Sequence, residues 1–325
     1  MVNHTGMVPI NAAGEYHLSP IIPDEKHRHV LNSCVDVPEE IPSFPLPLQK
    51  VGIAGKTVWV GLHDNNGGHL PFSARILVNL PANRRGIHMS RIEEVITELY
   101  GKKFASLPEY AILLADKVLD AQHASRVSVN LNGSMPLIQQ TPISRLNSID
   151  SLDISCSVNL QKNDSQVSRN VTIGAGIHHL TACPCTLNYN QVLFERHDDP
   201  WPQATHSQRS RTELLVSPPT AELLPSYKEL VTVLDEALHV SRDLLKRPDE
   251  TELVLKAHNN PQFAEDTVRE VARAAGKKYG GTLPHETRIQ VNSTSLESIH
   301  IHDVECSLET SLGEIIATTQ SITEK

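Results

Sequence analysis

No run in the chain approaches the roughly twenty apolar residues of a membrane-spanning helix, and the first residues lack the apolar core of a secretory signal. A cytoplasmic protein with no membrane partner is expected. Positive charge is also short: 29 Lys and Arg stand against 38 Asp and Glu, a formal net charge of −9. Nothing general therefore draws the chain to nucleic acid, although a local basic pocket can still hold a nucleotide. Cysteine is scarce, with five residues at Cys34, Cys156, Cys183, Cys185 and Cys306. An odd, scattered set excludes the disulfide framework of a small secreted domain.

What is present is length and histidine. The 325 residues, 39% of them hydrophobic, suffice for two ordinary domains with cores of their own. The 17 histidines include His178-His179, His197-Asp198, His206 and His300-Ile301-His302-Asp303. Their company of acids and cysteines makes a metal site worth testing.

Prolines without periodicity mark residues 1–45 as an extended arm. Apolar runs over 51–62 and 71–80 read as strands around the turn-rich 64–68 segment, and 90–102 and 107–122 have helical spacing. A strand carries Val127, Val129 and Leu131. A hairpin follows, alternating from Ile154 to Leu160 and from Val167 to Ile173 around a polar 162–165 turn. After a strand at 212–216, helical spacing returns over 230–238 and from Phe263 to about Ala275. Thr287, Ile289 and Val291 alternate, and a last strand-like run crosses 299–308. Strand, strand, helix, helix, strand, strand thus occurs twice, which gives an α+β class. The division expected is an arm over 1–47, a first module over 48–148 and a second over 149–325.

Short segments carry the chemistry. Pro184 restricts φ and biases Cys183 towards extended backbone, so Cys183-Pro184-Cys185 is expected on a stiff turn. One intervening residue is too few for a structural CxxC zinc knuckle. Either one thiolate binds a metal while the other is free for nucleophilic or proton chemistry, or both are small buried groups at a strand end. In His206-Ser207-Gln208-Arg209-Ser210 the imidazole suits a metal and the guanidinium suits phosphate oxygens. Ser90 reads as the N-cap of the 90–102 helix, with Glu93 completing a capping box. His88 and Arg91 beside that helix N-terminus offer a phosphate seat.

Lys246-Arg247-Pro248-Asp249-Glu250 reads as closing one helix, and Glu265 as lying in the first turn of the next. The helix dipole explains both placements, but Glu265 can also accept paired hydrogen bonds from a guanine edge. His300 and His302 alternate as on a strand beside Asp303, the pattern of a ligand with its orienting partner. Gly55-Lys56-Thr57 looks like the end of a phosphate loop, but Lys50 stands where the first glycine is required.

Six segments occur in the order seen in GTP cyclohydrolase IB: 86–91, 181–185, 206–210, 246–250, 263–266 and 297–303. The chain resembles that bacterial family over about residues 48–310. The resemblance implies two tandem tunnelling-fold modules and a homo-oligomer, with a tetramer expected. It implies hydrolysis of GTP by water at C8, with loss of formate, to 7,8-dihydroneopterin triphosphate for folate synthesis. Residue by residue, it makes Cys183, His206, Glu250 and His300 the set that binds zinc, manganese or iron(II), and Cys185 the catalytic thiol. Glu265 becomes the purine anchor, with Arg209, His88 and Arg91 around the rest of the substrate. An insertion over about 187–203 separates Cys183 from His206. The rival readings are an archaeal type IV cyclohydrolase releasing a 2′,3′-cyclic phosphate and a non-catalytic binder of purine or metal.

Overall fold

The computed structural model describes residues 21–63, 68–163, 166–196 and 201–323. Parts of the two expected turns, 64–67 and 164–165, lie outside the described residues, as does His197-Asp198. The chain divides into two compact units, one formed by the arm up to Leu46 with Ala82–Gly86, the other by Pro47–Pro81 with Ile87 onward.

In the first unit a helix, α1 (Asp24–Ser33), stands where an extended arm is expected. Pro23 occupies its N-cap, and Asp24 and Glu25 place negative charge in its first turn, which suits the positive end of the helix. A short 3-10 turn, Val37–Glu39, follows. Arg84 reaches Glu39 at 2.6 Å and Arg85 reaches Glu40 at 2.9 Å. The amides of Arg85 and Gly86 donate to the Pro38 carbonyl.

The second unit opens with β1 (Leu48–Leu62), β2 (His69–Leu80), α2 (Met89–Tyr100), β3 (Lys103–Phe104), α3 (Leu107–Ala121), β4 (Arg126–Gln140) and β5 (Asn147–Asn163). It continues with β6 (Gln166–Ala182), α4 (Pro184–Leu193), β7 (Ser207–Ser217), α5 (Tyr227–Ala237), α6 (Arg247–Asn259) and α7 (Ala264–Tyr279). Strands β8 (Arg288–Leu296) and β9 (Val304–Ser311) and helix α8 (Leu312–Thr323) complete it. Among the described residues the nine strands form one sheet in the order β3-β1-β2-β4-β5-β6-β7-β8-β9. Every pairing is antiparallel except the short β1–β3 contact. The α+β class is present, and with β3, α4 and α6 set aside so is the doubled order: β1, β2, α2, α3, β4, β5, and then β6, β7, α5, α7, β8, β9.

Strand alternation puts one set of side chains under the helices. Val127, Val129 and Leu131 of β4, and Val171, Ile173, Ala175 and Ile177 of β6, are buried and join one core with α3, α5 and α7. The opposite face is polar. There Asn130 donates to Ser128, Ser157 donates to Asn130, and Arg211 Nε donates to Asp153 at 2.8 Å. Arg211 lies over Gly176, where a Cβ would come within 3.0 Å of its guanidinium.

Two local expectations are corrected. Helix α2 begins at Met89 with His88 as N-cap and no side-chain cap, so Ser90 sits inside the first turn. The Gln122 amide does the tying instead, accepting from the His88 N–H at 3.2 Å and donating to its carbonyl at 2.7 Å. Residues 246–250 open α6 and close no helix: Lys246 is its N-cap, Pro248 lies in its first turn, and Asp249 and Glu250 follow. Proline there loses no hydrogen bond and supplies a helical φ.

Candidate active site at one end of the sheet

Antiparallel order brings the C-terminal ends of β4, β6 and β8 and the N-terminal ends of β5, β7 and β9 to the same end of the sheet. Cys183 and Cys185 leave β6 there, and His206 enters β7 there. The ladder ends with Ala182 opposite Ser207, and the Cys183 N–H then donates to the His206 carbonyl at 3.1 Å. Thr205 Oγ1 adds a bond to the Cys183 carbonyl at 2.7 Å. The insertion therefore leaves Cys183 and His206 adjacent.

Part of that insertion is α4, with Cys183 as N-cap and Cys185 in its first turn, where a stiff turn is expected from the sequence. Cys183 is half-buried and Cys185 exposed, so neither is the inert buried thiol of the bland reading. Thr186 Oγ1 donates towards Cys183 Sγ at 3.7 Å. His206 Nδ1 pairs with Gln208 Oε1 at 3.1 Å, and Gln208 is itself buried. That pairing leaves Nε2 as the nitrogen open to a ligand, the way an oriented metal-binding histidine is held.

The loop 297–303 joins β8 to β9 at the same end and contains His300 and His302. It is a bend and no strand, so period-two alternation does not bring the rings together. The loop does: they stack with centroids 5.3 Å apart. Glu250 is exposed in the first turn of α6. Its neighbour Asp249 is fully buried and binds the β4–β5 turn, accepting from the Ile143 and Ser144 amides at 2.9 and 3.0 Å. Burial pushes the Asp249 carboxyl up, but the bonds from Ser144, Ile143 and Lys246 outweigh it and hold the group well below the usual carboxylate range.

Glu265 is exposed in the first turn of α7. Burial, and then the charge of Glu265, push the Cys306 thiol of β9 upward against the opposing charge of Arg269. Arg209 is exposed on β7 and lines a cleft of about 250 Å³ with His178, Ser241 and Arg242.

The donor types fit a divalent metal with mixed N, O and S ligands. Among the described residues, no three of Cys183, His206, Glu250 and His300 bring ligand atoms within 4.8 Å of one another. His88 and Arg91 are not brought to this end. They follow β2 and lie beside the start of β4, at the opposite end of the sheet, where Arg91 Nη1 donates to the Ala121 carbonyl at 3.3 Å.

Sequence reasoning missed a buried polar layer beneath the site. His179 Nε2 pairs with Thr212 Oγ1 at 2.8 Å, and Thr212 pairs with Ser293 Oγ at 2.8 Å. Thr181 pairs with Ser210 at 2.9 Å. The strap 239–241 closes the edge, with Leu180 N–H donating to the His239 carbonyl and Ser241 N–H to that of His178. Burial, and then the neighbouring His239, push His179 down to about 3. The available signal was phase: His179 falls in step with Val171, Ile173, Ala175 and Ile177.

Comparison with known proteins gives a consistent result. The family model for type I GTP cyclohydrolase, folE2, matches residues 34–305. GTP cyclohydrolase MptA of Methanocorpusculum labreanum is 29% identical over 306 residues, 87% of this chain and 98% of that protein. GTP cyclohydrolase MptA of Thermoplasma acidophilum is 30% identical over 302 residues, 86% and 96% of the two chains. Among solved structures, the urate oxidase of Bacillus sp. TB-90 aligns with a TM-score of 0.52 at 7% identity, covering 81% of this chain and 100% of that one. At that identity the likeness is one of fold.

Proposed function

We propose, on the premise that the chain belongs to the type I GTP cyclohydrolase family, that its site hydrolyses GTP at C8 with a divalent metal held by Cys183, His206, Glu250 and His300. The observation that carries this reading is the pairing of Cys183 with His206 across the ends of β6 and β7, with Gln208 orienting the imidazole. A bound zinc, manganese or iron(II) ion supplies an activated water for attack on C8. Cys185, exposed two residues on from Cys183, is the thiol available to the reacting carbon or its protons. Glu265 accepts hydrogen bonds from the guanine edge, and Arg209 holds phosphate oxygens.

The product proposed is 7,8-dihydroneopterin triphosphate with formate, the first intermediate of folate synthesis. A second reading, the 2′,3′-cyclic phosphate product of archaeal cyclohydrolases, is favoured by the MptA relatives that match almost end to end. We also read the molecule as a homo-oligomer, a tetramer, in which His88 and Arg91 of one copy serve the site of another. Their place at the far end of the sheet supports that reading.

The test is incubation of metal-reconstituted protein with GTP, following formate release and the pterin chromophore, with Cys185→Ala alongside. The variant should lose activity by several orders of magnitude, and full activity there removes Cys185 from its role. Mass and phosphate count of the product separate the two readings, a cyclic monophosphate deciding for the second. GTP binding without formate release would favour a non-catalytic binder.

A further inference from the structure

Asp249 is the one fully buried carboxylate among the described residues, and all of its hydrogen bonds are spoken for. Oδ1 accepts from the Ile143 and Ser144 amides at 2.9 and 3.0 Å. Oδ2 accepts from Ser144 Oγ at 2.6 Å and from the Lys246 amide at 3.1 Å. A helix cap needs only an exposed acceptor for its own first-turn amides. Burial, and two amides taken from a turn more than a hundred residues earlier, go beyond capping.

That turn is itself rigidly made. The Thr141 N–H donates to the Leu146 carbonyl and the Leu146 N–H to Thr141 Oγ1, while Thr141 and Ser144 pair through their hydroxyls at 2.7 Å. The segment leading into α6 is fastened to the same hairpin. The Asp243 amide donates to Asp150 Oδ1 at 2.8 Å and the Leu244 amide to Ser148 Oγ at 3.0 Å. Residues 243–249 are therefore fixed at three points to the end of the β4–β5 hairpin. The next residue is Glu250, whose exposed side chain holds nothing among the described residues.

We infer that Asp249 is a positioning residue: through the 141–146 turn it fixes where the Glu250 carboxylate is presented to the metal. The inference rests on the reading of Glu250 as a ligand. Rigid attachment matters because a carboxylate on a fraying first turn loses conformational freedom on binding, whereas a fastened one has already lost it. Partners that orient metal ligands typically contribute about 10–100-fold to metal affinity.

The probe is Co²⁺ alone, added to apo protein in competition with a chromophoric chelator. Thermal unfolding of the apo protein and the visible spectrum of the cobalt form are recorded alongside. Asp249→Asn should weaken Co²⁺ binding by about 10–100-fold while the thiolate-to-cobalt band from Cys183 persists. Ser144→Ala, which removes one donor and leaves both amides, should fold normally and weaken binding less, and it decides the matter if Asp249→Asn does not fold. Unaltered Co²⁺ affinity in folded Asp249→Asn and in Ser144→Ala, with Glu250→Gln still weakening it, overturns the positioning role alone. Unaltered affinity in Glu250→Gln removes Glu250 from the ligand set, and the inference falls with that reading.

Discussion

The two halves of the sheet bury different chemistry. Strands β1, β2 and β4 place only apolar side chains under their helices, among them Val58, Val60, Phe72, Ile76, Val127, Val129 and Leu131. Away from the site, strands β6, β7 and β8 do the same, with Val171, Ile173, Leu214, Val216, Ile289 and Val291. At the site end the same three strands bury His179, Thr181, Ser210, Thr212, Ser293 and Ser295. Each buried polar group costs free energy unless it is hydrogen-bonded, and here His179, Thr212 and Ser293 bond to one another, as Thr181 does to Ser210. The polar end is also where Cys183 and His206 leave the sheet. The first half is built for burial, and the site end of the second half gives up some of that stability for a fixed hydrogen-bonded geometry.

The largest expected effect breaks this contrast from the apolar side. Leu131→Ala removes a fully buried side chain from the centre of β4 and should cost about 2–5 kcal/mol in denaturant unfolding. The folded fraction should keep its metal affinity. A loss below about 1 kcal/mol would show that the first half is not the stabilising one.

A smaller effect is expected from the polar side. Thr212→Val keeps the side-chain shape but removes the hydroxyl that joins His179 to Ser293. Both partners are then left with fewer hydrogen bonds, costing about 1–3 kcal/mol. Because the layer lies beneath the ends of β6 and β7, metal affinity should fall as well. Unchanged affinity would separate the layer from the site.

The same contrast explains what could be read from the sequence. The apolar strands and α3, α5 and α7 follow from period: hydrophobic residues at every second position, or at helical spacing, announce the face that is buried. Helix α6 was missed because it buries only Asp249 and Ala257, so it has no apolar stripe, and its basic start mimics the end of a preceding helix. The arm helix α1 buries nothing at all. Among site residues, the Cys183–His206 pairing was obscured by the insertion, since sequence distance says nothing about where a ladder ends. The loop carrying His300 and His302 imitates a strand because Ile299 and Ile301 alternate with the histidines, although Ile301 is fully exposed. Asp249 carries no periodic signal, because its partners lie in a distant turn.

Acidification sharpens the comparison next. His179 is held neutral at about 3, by burial and then by His239, with His178 also nearby; His239 is itself lowered by burial and by Lys256. A histidine whose folded value is depressed contributes fully above its unfolded value of about 6.5, and that contribution is lost as pH falls from there towards 3. Stability should therefore drop by on the order of 1 kcal/mol per pH unit for this group below pH 6. Unfolding midpoints of wild type and His179→Gln between pH 7 and 5 give the check. The variant's slope should be shallower by about one proton, and identical slopes would show that His179 is protonated in the folded state.

The smallest stability effect belongs to Arg91, at the opposite end of the sheet. Its guanidinium donates to the Ala121 carbonyl in the last turn of α3, and a cation at that position is worth about 0.3–1 kcal/mol. Arg91→Ala should cost no more than that in unfolding. If Arg91 of one copy serves the active site of another, the same variant should raise KM for GTP far beyond what its stability loss explains. Mixing Arg91→Ala with Cys185→Ala subunits before reassembly makes the point directly, since hybrid oligomers then contain sites with both residues intact. Recovered formate release assigns the two residues to different copies within one site. No recovery, with each parent variant folded and assembled, confines Arg91 to fastening α3 and leaves the two ends of the sheet functionally separate.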